Sequence, residues 1–229
     1  MKRFLLLCAR QIWALVRRLF RTRSSSSSPR VASPPDTALA RSAVHEAGHA
    51  VVAWHATGVR HITEVRLHDE GGGHVQLHYI VDESYGDDSD ASRWCRLAIL
   101  LAGVTAETLV YGRCQTRGAA DDLVRARELA QRIYAHPPWV DRAAPTLCFD
   151  RMFYDKPKGR VLDNLSIGYR MARRLLRARE LPFYRVVGML LARRVVRGTE
   201  LSDVLGIRVF TMVVGFWGPR FIGGAKEAA

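Results

Sequence analysis

The chain has 229 residues, an apolar share of 48% and a formal net charge of +13 carried mainly by arginine, enough length and apolar content for one globular domain with an appendage. Cys8, Cys95, Cys114 and Cys148 are widely separated with no C-x-x-C spacing, which excludes a zinc knuckle and a disulfide framework and fits a reducing, cytoplasmic compartment. The positive charge predicts attraction to anionic surfaces, but no nucleic-acid motif accompanies it and aromatic residues are not interleaved with the basic clusters, so no specific nucleic-acid partner is expected.

Residues 1–23 carry seven basic residues and no acidic one. In helical projection Arg3, Arg10, Arg17 and Arg21 gather opposite Leu5, Ile12, Val16 and Leu19, the pattern of a basic amphipathic helix that lies on an anionic membrane surface, or docks on this protein's own core or on a partner helix. Arginines interrupt it well before about 18 apolar residues accumulate, so it does not span a bilayer. Residues 24–36, a serine run followed by Pro29, Pro34 and Pro35, read as a linker.

Asp36 or Thr37 can cap a helix that starts there, and Leu39, Ala43, Ala47, Ala50, Val51 and Trp54 give it an apolar stripe, with Gly58 as a natural terminator. Within it lies His45-Glu46-Ala47-Gly48-His49. Residues four apart share a helix face, so both imidazoles can reach one metal ion, while Glu46 sits beside it and can take a proton from a water held there. This is the H-E-x-x-H pattern of zinc metalloproteases. Gly48, bare of a side chain beside both histidines, allows another element to pack close.

Two alternating runs, His61–Leu67 and His74–Ile80, flank Asp69-Glu70-Gly71-Gly72-Gly73 and predict a β-hairpin. Beside a metal, such a sheet edge can hold a substrate as an added strand. His74 and His78, four apart on a strand, are read as rim residues rather than ligands. An acidic loop, 83–90, leads to one strongly apolar helix predicted over Arg93–Tyr111. Glu107 inside it needs a polar partner: the N–H of a metal-bound histidine, a neighbouring arginine, or the metal itself. A turn at Thr116–Ala120 opens a helix continuing through Ala126, Leu129 and Ile133. Of Asp121 and Asp122, one is expected to cap that helix and the other to serve as the third metal ligand.

These pieces occur in an order that resembles the peptidase domain of the FtsH-type metallopeptidases: Ala43–Val52 around the histidines, Leu101-Ala102-Gly103 with Ala106-Glu107 and Tyr111-Gly112, Thr116–Leu123 with Ala126 and Leu129-Ala130, and Leu190-Leu191-Ala192 followed by Gly198-Thr199-Glu200-Leu201. The resemblance covers roughly 37–205 and leaves 206–229 as an apolar tail. It implies zinc held by His45, His49 and Asp122, Glu46 as general base, and Glu107 orienting a ligand histidine. Asp121 stands where the family has asparagine, which leaves the choice between the two aspartates open. The family's ATP-driven unfoldase module has no counterpart, since no G-x-x-x-x-G-K-[ST] loop occurs, and 136–159 matches poorly.

The expected protein is therefore a mainly α metallopeptidase domain with a small β-hairpin or sheet beside the active-site helix. Its expected function is zinc-dependent hydrolysis of peptide bonds in unfolded or delivered polypeptides. A separate ATPase and a homo-oligomer are the expected partners, and its location is cytoplasmic with membrane contact through the basic helix. The alternative from another class is a peptidase-like adaptor without catalysis.

Overall fold

The fold, a computed structural model, describes residues 33–56, 59–68, 72–79, 90–115, 118–134, 152–153 and 155–206. The basic helix, most of the linker, Gly58, the acidic loop and the apolar tail predicted above lie outside these residues. Helix α1 (Ala38–Trp54) begins at Thr37, whose side-chain oxygen accepts a hydrogen bond from the Ala40 N–H at 3.2 Å, a normal cap for an otherwise orphaned donor. From Ala43 to Trp54 every residue is buried, and apart from the motif residues the run is alanine, glycine, valine and tryptophan. A helix apolar all round is a central one. Strands β1 (Val59–Leu67) and β2 (Gly73–Tyr79), helices α2 (Asp90–Leu100), α3 (Ala102–Tyr111), α4 (Ala120–Arg132), α5 (Gly159–Ala178) and α6 (Glu180–Arg193), strand β3 (Val195–Arg197) and helix α7 (Gly198–Leu205) complete the order. The class is mainly α with a small antiparallel sheet, as the sequence led us to expect.

The strands pair antiparallel in the order β2-β1-β3. The third strand was not foreseen, because three residues carry no periodicity. Tertiary contacts hold it instead: the Leu67 N–H donates to the Arg194 carbonyl at 2.8 Å, and a Cβ at Gly198 would lie 1.9 Å from the Ile62 carbonyl oxygen, so only glycine lets α7 start against β1. Glu200 then caps α7 by accepting from the Arg197 N–H at 2.9 Å.

The single helix predicted over Arg93–Tyr111 is in fact two, α2 and α3, bent by 43° about Leu101. Apolar periodicity runs unbroken across the bend, so the sequence pattern could not place it. The bend lets both halves pack on α1. Among the described residues no single helix is long and apolar enough to cross a membrane; the bent pair has the composition but lies mostly in the core.

Gly48 is where α1 and α3 meet. A Cβ there would lie 2.7 Å from both the Ala102 carbonyl oxygen and the Ala106 Cβ, closer than packed atoms sit. Alanine is the better helix former by about 1 kcal/mol, yet Gly48→Ala is expected to lower stability by about 1–3 kcal/mol through overpacking. Urea unfolding followed by circular dichroism checks this, and an unshifted midpoint would mean that the two helices can part freely.

Candidate metal centre

His45 and His49 project from successive turns of α1 with ring centroids 4.7 Å apart. The Nδ1 of His49 lies 2.8 Å from the Ile99 carbonyl oxygen at the end of α2. A carbonyl oxygen only accepts, so Nδ1 carries the proton and Nε2 presents a lone pair. The Nδ1 of His45 donates in the same way to Glu107 Oε1 at 2.8 Å. Both Nε2 atoms thereby face one point, 3.0 Å from each other. Asp122 Oδ2 completes the triangle, 3.3 Å from His45 Nε2 and 3.0 Å from His49 Nε2.

A tetrahedral zinc with bonds of about 2.0–2.1 Å requires ligand atoms about 3.3 Å apart, so this triangle fits such an ion closely. The three residues are the set, among those described, that could hold a metal. Their electrostatics agree. Burial pulls the His45 imidazole down, but the carboxylates of Asp122 and Glu107 outweigh it and hold it up at about 10, so a proton sits on its Nε2 wherever a cation does not take that place and free the lone pair. Burial would raise the Asp122 carboxyl, yet the two histidines keep it well below the usual carboxylate range. Such a cluster of acceptor atoms calls for positive charge among them, a shared proton or a cation.

Of the two adjacent carboxylates, Asp122 is the one that reaches the histidines. Neither caps α4: Ala119 holds that position without a side-chain hydrogen bond, and both aspartates lie in the first turn, where the positive end of the helix favours them. The far end of α4 is fixed by buried Asn164 of α5, whose Nδ2 donates to the Ala130 and Ile133 carbonyls at 2.9 and 3.0 Å. Those are carbonyls that a helix end leaves without partners.

Glu107 combines two of the roles weighed from sequence. Besides His45 it accepts from the Gln115 N–H at 2.8 Å and faces Arg41 Nη1 at 3.5 Å. Arg41, buried and unremarked in the sequence, also donates to Asp36 through Nη2 at 2.9 Å and stacks over the Tyr111 ring at 4.5 Å. Its place four residues before His45, on the same helix face, was the available signal. No sequence signal marks Ile99, which acts through its backbone. Gly103 has a steric duty, since a Cβ there would lie 2.4 Å from the His45 ring.

Glu46 is 6% exposed, and burial pushes its carboxyl up. It opens onto a cleft of about 490 Å³ with the two histidines, Asp122 and the β2 residues Gly73, His74, Val75 and Leu77. A Cβ at Gly73 would lie 2.7 Å from Glu46 Cγ, so the strand runs hard against the carboxylate. His74 is an exposed rim residue, its Nδ1 3.2 Å from His68 Nε2, as expected; the side chain of His78 lies outside the described residues.

A central helix bearing two histidines and a carboxylate, an aspartate delivered from a second helix, and a strand edge alongside make the arrangement expected of a metallopeptidase. Comparison with known proteins bears on the same reading. Residues 36–136 match the model of Peptidase family M41. The ATP-dependent zinc metalloprotease FtsH 1 of Symbiobacterium thermophilum is 30% identical over 201 residues, 84% of this chain and 33% of that protein. The mitochondrial inner membrane m-AAA protease component AFG3L2 of Mus musculus is 28% identical over 185 residues, 74% and 22% of the two chains. The ATP-dependent zinc metalloprotease FTSH 9, chloroplastic/mitochondrial, of Oryza sativa subsp. japonica is 26% identical over 171 residues, 73% and 22%. These matches support a peptidase domain of the FtsH type in this chain, which spans between 22% and 33% of the length of these three relatives.

Replacing Glu107 by glutamine should weaken zinc affinity by about 10–100-fold, because carboxylates that orient ligand histidines carry effects of that size. Competition with a chromophoric chelator measures it, and unchanged affinity would remove Glu107 from the site.

Proposed function

We propose that this chain is a zinc-dependent endopeptidase that hydrolyses peptide bonds in unfolded or delivered polypeptides. The observation that carries the reading is the meeting, at one open cleft, of His45, His49 and Asp122 with the buried carboxylate of Glu46. Zinc held by His45, His49 and Asp122 would polarise the scissile carbonyl and lower the pKa of a water towards about 7. Glu46 takes a proton from the attacking water on a carboxylate oxygen and returns it to the nitrogen of the departing amine. Its burial raises the carboxyl above the ordinary carboxylate range, against the pull of the two histidines, which makes it a better proton acceptor. Glu107 and the Ile99 carbonyl hold the two imidazoles in the tautomer that keeps Nε2 free.

The strand order leaves one edge of β2 unpaired among the described residues. An extended polypeptide would add there as a further strand, its backbone hydrogen-bonded and its scissile bond brought over Glu46 by the close packing at Gly73. A strand substrate must already be unfolded, so we assign folded proteins to a separate ATP-driven unfoldase, with self-association and a cytoplasmic, membrane-contacting location as parts of the same reading. Membrane contact would fall to the basic residues 1–23.

Glu46→Gln should retain zinc while cleavage of unfolded casein drops by about 10²–10⁴-fold, the usual worth of a general base. Metal analysis and a gel-based degradation assay test this together, with chelator-treated and zinc-restored wild type as controls. Undiminished cleavage by the variant refutes the mechanism, and zinc-loaded wild type that cleaves no unfolded substrate refutes the enzyme.

A further inference from the structure

We infer that Arg125 is a specificity residue that selects polypeptides presenting a carboxylate, an acidic side chain or a free C-terminus, within about three residues of the bond to be cut. The inference rests on the peptidase reading above and names the substrate class for that site. Arg125 lies on α4 three residues after Asp122, which places it on the same helix face about one turn further on, and it lines the cleft. It is the single lysine or arginine among the described lining residues. Its guanidinium forms no ion pair among the described residues, whereas Arg127, two positions on, donates to Asp155 at 2.6 Å.

The neighbouring anion does not cancel this charge. Asp121 also lines the cleft without an ion pair among the described residues, but it stands in the first turn of α4, where the helix N-terminus already compensates a negative charge. Arg125 lies beyond that first turn, and although Asp121 and Glu128 stand four residues before and three after it, neither forms an ion pair with it among the described residues. Guanidinium binds carboxylate with two parallel hydrogen bonds. One helical turn advances about 5.4 Å and an extended chain about 3.3 Å per residue, so with the reach of the arginine side chain the recognised carboxylate falls one to three residues from the metal-facing bond. The surplus positive charge of the protein, +13 in total, would favour encounter with the same substrates.

The test measures binding, so that it does not depend on turnover. Rhodamine-labelled, otherwise neutral twelve-residue peptides carry one Glu, Gln or Lys at successive positions, each with a free or amidated C-terminus, and fluorescence anisotropy follows their binding to the zinc-loaded full chain bearing Glu46→Gln. Peptides with the carboxylate correctly placed should bind about fivefold more tightly than their Gln counterparts, the advantage shrinking with added salt. Adding Arg125→Gln should erase the preference and Arg125→Glu should invert it towards Lys, with circular dichroism confirming that both remain folded. Preference only for the free C-terminus, or only for internal Glu, identifies which carboxylate is read. Equal affinity for all peptides, or a preference that survives Arg125→Gln, overturns the inference. An Arg125-dependent preference in a protein whose wild type cleaves nothing upholds it while removing the peptidase reading.

Discussion

The close approach of α1 to the bend between α2 and α3 is the constraint on which the site depends. Gly48 and Gly103 remove the two Cβ atoms that would forbid it, and the approach puts the Ile99 carbonyl and the Glu107 carboxylate against the inner nitrogens of His49 and His45. Those two hydrogen bonds fix both rings. Without them an imidazole on an exposed helix face would sample several rotamers and either tautomer, and its outer nitrogen would point nowhere in particular.

The polar groups this approach buries are satisfied as a chain. Asp36 pairs with Arg41, Arg41 faces Glu107, and Glu107 accepts from both His45 and the Gln115 N–H. Buried charges are expensive unless each has a partner, and here the chain runs from the domain surface at Asp36 to the face of the cleft. The same network joins the entrance of α1 to the end of α3, so the helix that carries the motif is anchored electrostatically at its start and sterically at its middle.

The cleft is built from parts with separate supports. β2 lies against Glu46 because β1 is held from behind by β3 and by the glycine that starts α7. Asp122 reaches the histidines because α4 is tied to α5 through Asn164. In the proposed reaction the two walls do different work: the strand side aligns backbone, which is common to all polypeptides, and the helix side presents side-chain charge, which can discriminate among them.

The sequence by itself determined the elements whose signal is local. The H-E-x-x-H spacing, the alternation of the hairpin, a cap at Asp36 or Thr37 and the glycine between the histidines can be read from neighbours along the chain, since each is set by contacts within a turn or across a short loop. It also narrowed the proposed third ligand to an adjacent pair, and it flagged Glu107 as a carboxylate in need of a partner. Tertiary structure alone decided that Asp122 rather than Asp121 faces the histidines, that the apolar run from Arg93 breaks at Leu101, that Val195–Arg197 joins the sheet, and that Arg41 and the Ile99 carbonyl belong to the site. Each depends on residues far apart in the chain brought together by packing. Hydrophobic periodicity records which side of a helix is buried but not what it is buried against, and a backbone carbonyl leaves no mark in the sequence.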